Sequence, residues 1–222
     1  MPEGRKPGWR DSRGPRTAPA GRHRVPGWHI AARTVALTVP FALILIAPQP
    51  AGAKVFLTRT EALELAFPDC SVVRKTRYLT DDQRQRATEA SGVEIDSRLV
   101  VQYTAVCNGE PAGAAYFDAH RVRTLAETLM VAVDAEGRVT RLEVLSFLEP
   151  EEYIPRRTWY DQFLKQRLDS RLRLKRSIHA VTGATLTARA TTDAVRRILA
   201  LDQVLRKAAA QPAAAQGGRL VP

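Results

Sequence analysis

The chain is poor in cysteine, histidine and aromatic side chains, and each shortage removes a class of chemistry. Cys70 and Cys107 are the only cysteines in 222 residues, so there is no Cys-x-x-Cys and no Cys-x-x-Cys-His. Dithiol redox chemistry, a cysteine zinc site and c-type haem attachment have no residues to rest on. Histidine occurs four times, and no group of His, Asp and Glu has ligand spacing, so no metal centre is expected. Basic runs interleaved with aromatics are also missing. The formal charge of +11 is uneven, because residues 1–53 hold eight basic side chains against Glu3 and Asp11, which is +6 of the total. The remainder is an ordinary mildly basic surface, and nucleic acid is not an expected partner. The longest apolar run, Val35 to Ala47, is shorter than the roughly 20 residues that cross a bilayer, and Pro40 interrupts it.

What is there begins with that leader. An Arg-rich start, the apolar run and the small residues Ala51-Gly52-Ala53 are the three parts of a secretory signal peptide. Residues 1–53 are therefore expected to direct export, as a cleaved signal or a retained anchor, to the periplasm or the outer face of the cytoplasmic membrane. In an oxidising compartment Cys70 and Cys107 can form a disulfide; two small buried hydrophobes are the equal alternative.

Local signals set the order of elements. Thr58 and Glu61 have capping-box spacing and Pro68 ends the helix they open. Ser71–Tyr78 reads as a strand, and "TDDQRQRATEASG" as a capped polar helix with Gly92 past its end. "RLVVQYTAVCNG" and "AGAAYF" read as a hairpin over Asn108-Gly109, and "TLMVAV" and "RVTRLEVLSF" as a second over "DAEG". Imperfect alternation in its second arm predicts a strand partly covered on both faces. A Pro-punctuated loop follows, then a short helix from about Trp159 with Thr158 as its cap. In the final helix Ala194, Ile198, Leu201 and Leu205 form an apolar stripe, with Arg189, Arg196 and Arg197 expected to its side. These elements predict an α+β domain with a mixed or mainly antiparallel sheet covered by helices. Its portions are 54–114 and 115–208, and a low-complexity tail covers 209–222.

The informative stretch is the knot Thr182-Gly183-Ala184-Thr185-Leu186-Thr187, set against the final helix. A helix mouth leaves backbone N–H groups without partners and favours an anion. Capping by Thr185 or Thr187 would use one hydroxyl. Here there are three, beside two small residues that let a bulky anion approach the backbone. The knot has neither P-loop, dinucleotide nor nucleophile-elbow spacing. Ser177 and His179 lack an acid partner, which removes a hydrolase triad.

"TGATLT" resembles the attachment motif of the FMN-binding domain family, found in the G subunit of Rnf complexes and the C subunit of sodium-pumping NADH:quinone reductase. In that family a flavin transferase joins FMN to a threonine through a phosphoester. The resemblance implies Thr185 as the acceptor, with Thr182, Gly183, Ala184, Leu186 and Thr187 around the cofactor. His179 stands where the family often has aspartate. "FLEPEEY" corresponds to a family segment of Glu-Thr-Pro-Gly character that borders the flavin, which brings in Leu148 and Glu149. Tyr153 and Trp159 are candidates to stack on the ring, with core packing as the alternative. His120-Arg121-Val122-Arg123 offers charge that reads first as a solvated loop and second as a contact for phosphate or ribityl chain. The function these readings imply is an exported carrier of covalent FMN. It would be matured by a flavin transferase and would exchange electrons with a membrane electron-transport complex or another redox protein. The alternative is an exported interaction module whose knot only caps a helix.

Overall fold

The structure, a computed structural model, describes residues 54–210. The expected leader and all of the tail beyond Ala210 lie outside them. Two capping boxes form as their spacing requires. The Thr58 hydroxyl accepts from the Glu61 N–H at the start of α1 (Arg59–Ala66), and Thr80 pairs likewise with Gln83 at the start of α2 (Asp81–Ser91). Gly92 ends α2 at a φ of 65°, in the left-handed region where a β-carbon is costly.

Six strands make one antiparallel sheet in the order β1-β6-β5-β4-β3-β2. Their ranges are β1 (Lys54–Val55), β2 (Ser71–Tyr78), β3 (Leu99–Cys107), β4 (Glu110–Arg121), β5 (Ala126–Val133) and β6 (Val139–Phe147). No strand pair is parallel, so the sheet is antiparallel and not mixed. Both hairpins stand where the turn residues predict, with Gly137 at a φ of 77°. Cys70 and Cys107 are disulfide-bonded, which ties the start of edge strand β2 to the end of β3.

The broken alternation of β6 has a geometric cause. Register slips between Thr128 and Leu129, and between Ala132 and Val133, leave Leu145 and Thr140 without cross-strand partners. Each bulge reverses which side chains face which layer. Val139 and Leu142, three residues apart across the unpaired Thr140, therefore share one core with Val144, while the adjacent Leu145 joins the other. On one face α1 buries Ala62 against Tyr103, Met130 and Leu145. On the other, α4 (Thr185–Ala210) packs Ala188, Val195, Ile198 and Leu199 with Tyr116, Val131 and Leu142. The helix runs five residues beyond Leu205, into the expected tail.

Two expectations fail for tertiary reasons. The short helix α3 (Arg157–Tyr160) starts after Arg156, so Thr158 lies inside it and caps nothing. Arg196 does not lie to the side: it is 2% exposed, in the layer between α4 and α2. Its guanidinium donates to the carbonyls of Ala90, Ser91, Asp169 and Leu172. It thereby satisfies the C-terminal carbonyls of α2, where the helix dipole also favours a cation. No helix among the described residues is long and apolar enough to cross a membrane.

Candidate functional site

The knot is held from behind before it reaches α4. The Trp159 indole N–H donates to the His179 carbonyl at 2.7 Å, and the His179 N–H donates to Gln162 Oε1 at 2.8 Å. With its backbone fixed at both groups, the exposed His179 delivers the chain into a turn at Val181, where the Ala184 N–H returns to the Val181 carbonyl. Gly183 takes a φ of 84°, and a β-carbon there would meet no atom within 4 Å. Glycine is thus needed for the backbone conformation, and it leaves that backbone uncovered.

Thr185 is the first residue of α4 and is exposed. Its hydroxyl donates to the Val181 carbonyl at 3.2 Å, and the buried Thr187 hydroxyl donates to the Tyr153 carbonyl at 2.6 Å. A helix cap accepts from a backbone N–H. Both hydroxyls donate to carbonyls and, among the described residues, neither accepts from a backbone N–H, so neither serves as the cap of the simpler reading.

The facing wall is the connection between β4 and β5. It turns through a hydrogen bond from the Val122 N–H to the Leu125 carbonyl, and Glu149 pins it from below. Glu149 Oε1 accepts from the N–H groups of Leu125, at 2.7 Å, and Thr124, and from the Thr124 hydroxyl at 3.1 Å. The Leu125 and Thr124 N–H groups hold its carboxyl below the usual carboxylate range. A cavity of about 210 Å³ opens between this wall and the knot, lined by Val122, Arg123, Glu149, Tyr153 and residues 183–187.

Seven residues expected from the sequence therefore meet at one cleft: Glu149, Tyr153, Gly183, Ala184, Thr185, Leu186 and Thr187. Three do not. Thr182 is exposed just outside the lining, and Leu148 is half-buried with its N–H on the Ala126 carbonyl. Trp159 is 7% exposed and packs edge-on against Tyr160 and Phe163, so it is a core residue that anchors the knot and not a stacking platform. Val122 and Arg123 join the cleft, although their stretch read first as a solvated loop. Nothing local distinguishes them, since Glu149, 24 and more residues away, is what places the loop.

His120, from the same stretch, goes elsewhere. It lies opposite Glu127 across the β4–β5 pair, with Nε2 3.0 Å from Glu127 Oε2 and Nδ1 2.9 Å from Asp118 Oδ1. Arg197 makes two hydrogen bonds to Asp118, and the Thr191 hydroxyl donates to Glu127. Burial opposes the charge on His120, but its hydrogen bonds to Asp118 and Glu127 prevail and raise its pKa to about 9. Burial likewise works against ionised Asp118, yet His120 and Arg197 lower it to about 2. This is a largely buried quartet of two basic and two acidic side chains. Among the described residues no group of His, Cys, Asp and Glu could hold a metal ion.

No curated protein and no solved structure matches the chain. The family model of the FMN-binding domain matches residues 126–200, from the first residue of β5 to Ala200 in α4. The matched segment contains Glu149, Tyr153 and the whole Thr182–Thr187 knot, which are the parts that make most of the cleft. Residues 126–200, which form the inner strands β5 and β6 and most of α4, are thus the part of the chain that matches the FMN-binding domain family.

Proposed function

We propose that the protein carries FMN covalently, through a phosphoester to Thr185 Oγ1, and relays electrons outside the cytoplasm between redox partners. The observation that carries the reading is the position of Thr185: an exposed hydroxyl on the first residue of a long helix, in the wall of the cleft and inside the segment matched as an FMN-binding domain. The residues fit the phosphate end of such a cofactor. Gly183 leaves its backbone uncovered, the mouth of α4 favours negative charge, and Arg123 adds a cation to the opposite wall. Tyr153 and Leu186 supply apolar lining beside them.

FMN when bound supplies one- and two-electron chemistry, and the protein's part is to attach, orient and tune it. The cleft presents no ordered pair of acid and base for an organic substrate, which favours a relay over a reductase with its own turnover. Export is supported by the leader and by the Cys70–Cys107 disulfide, a bond that persists in oxidising compartments. Outside the cytoplasm a dissociated cofactor would be lost, which gives the covalent bond a purpose. A flavin transferase would form it, and a membrane electron-transport complex or another redox protein would be the partner.

Intact mass and in-gel fluorescence after co-expression with a flavin transferase test this directly. The wild type is expected to gain the mass of FMN less one water and to fluoresce after denaturation, and Thr185→Val to do neither while remaining folded. An unmodified wild type beside an active transferase would leave the interaction-module reading in place.

A further inference from the structure

We propose that Arg123, which lies outside the matched segment, makes the cleft select a phosphorylated flavin over its uncharged counterpart. The inference rests on the FMN reading above and adds to it a residue that the family match, beginning at Ala126, does not contain.

The first observation is pairing. Three arginines of the domain are committed to buried or half-buried acids: Arg157 to Glu143, Arg197 to Asp118 and Arg206 to Asp202. Arg123 lines the cleft, and its guanidinium has no ion-pair or hydrogen-bond partner among the described residues. Arginine presents a planar fork of donors that matches phosphate oxygens two at a time. The second observation is placement. The loop that carries Arg123 is closed by the Val122–Leu125 hydrogen bond and fastened by the three donors converging on Glu149 Oε1. An exposed arginine on an untethered loop would lose most of its advantage to ordering; this loop is ordered in advance.

The third observation is the sign of the cleft. Glu149 is the only acid in its lining, and its charge is directed at the loop N–H groups and the Thr124 hydroxyl. The other charged features of the lining are the mouth of α4 and Arg123, both positive. A sphere of 210 Å³ is about 7 Å across, within the roughly 8 Å over which salt leaves charges in contact. Arg123 and Thr185 therefore act on the same anion from opposite walls. Glu149 acts through the loop and is a positioning residue; Arg123 is the group that meets the ligand.

The test uses the exported chain with Thr185→Val, so that binding is reversible, and titrates FMN and riboflavin by fluorescence quenching. Changing Arg123→Gln in that background is expected to weaken FMN about tenfold and to leave riboflavin unchanged, with a shallower salt dependence for FMN. With Thr185 restored and a flavin transferase present, the initial rate of FMN attachment should fall in the order wild type, Arg123→Lys, Arg123→Gln, Arg123→Glu. Partial rescue by lysine separates a charge effect from a change in loop shape. Equal losses for FMN and riboflavin, or attachment rates that ignore charge, would overturn the inference while leaving the flavin site standing. A wild-type chain that neither binds flavin nor accepts it would instead overturn the FMN reading and this inference together.

Discussion

Helix α4 meets polar partners in two regions, its first turn and the stretch from Thr191 onward, and it treats them in opposite ways. At its mouth, Thr185 is exposed and the guanidinium of the nearby Arg123 has no partner among the described residues. From Thr191 onward every buried polar group on the helix is matched: Thr191 to Glu127, Arg196 to four carbonyls, Asp202 to Tyr116 and Arg206. Unpaired charge in the interior would cost several kcal/mol, and the helix's own buried polar groups avoid that cost, although Glu127 Oε1 and the Tyr160 hydroxyl beside them are buried without partners among the described residues. At the mouth, polar groups remain near water and open to a ligand. Stability and binding are thus assigned to different stretches of one helix, and substitutions in the two regions should separate cleanly.

The largest effect is expected at Arg196. Arg196→Ala removes the donor from carbonyls of α2 and of the Asp169–Leu172 loop and leaves a void between α2 and α4, so stability should fall by about 3 to 4 kcal/mol. Urea denaturation reads this directly; a loss under about 1 kcal/mol would show that the layer closes without it.

The quartet of Asp118, His120, Glu127 and Arg197 should matter next, and its signature is pH. His120 is raised to about 9 in the folded chain, so its contribution is complete below its ordinary value near 6.5 and is lost as pH rises through 9. Asp118, lowered to about 2, contributes fully above its ordinary value near 4 and loses that contribution as pH falls through 2. Stability should therefore be highest between about pH 4 and 6.5. His120→Leu should cost about 3 kcal/mol there and remove the alkaline limb. A wild-type profile that stays flat from pH 6.5 to 10 would contradict the bonding given to His120.

Glu149→Gln crosses between the regions. It weakens the hold on the loop N–H groups without touching the core, so thermal denaturation should shift little while flavin attachment slows through a misplaced Arg123. An unchanged attachment rate would mean that the loop needs no such anchor. The smallest effect on stability belongs to Thr185→Val, which removes one exposed hydroxyl and should change stability by less than about 1 kcal/mol while abolishing the adduct.

How much of this was legible in the sequence follows the same division by range. Both capping boxes and both hairpins are set by residues a few positions apart, and each stands where its spacing places it. The bulges of β6 were visible only as broken alternation, because their positions depend on the register with β5. Trp159 looked like a stacking residue since an aromatic near a loop has the same signature whether its indole faces a ligand or, as here, the His179 carbonyl. Arg196 looked lateral because nothing within a helix period reports that another helix ends against it. In the site, Thr185 and its neighbours form one contiguous run and were legible together. Arg123 was not, since its place depends on Glu149 in a segment far along the chain.

The most direct test of the account is the location of the flavin itself. Tryptic cleavage at Arg176 and Arg189 releases the peptide Ser177–Arg189, which holds Thr182, Thr185 and Thr187 together. Fragmentation of that peptide from protein matured by a flavin transferase should place FMN on Thr185 alone. An adduct on Thr182 or Thr187, or a peptide with no adduct, would contradict the assignment of the exposed hydroxyl at the mouth of α4.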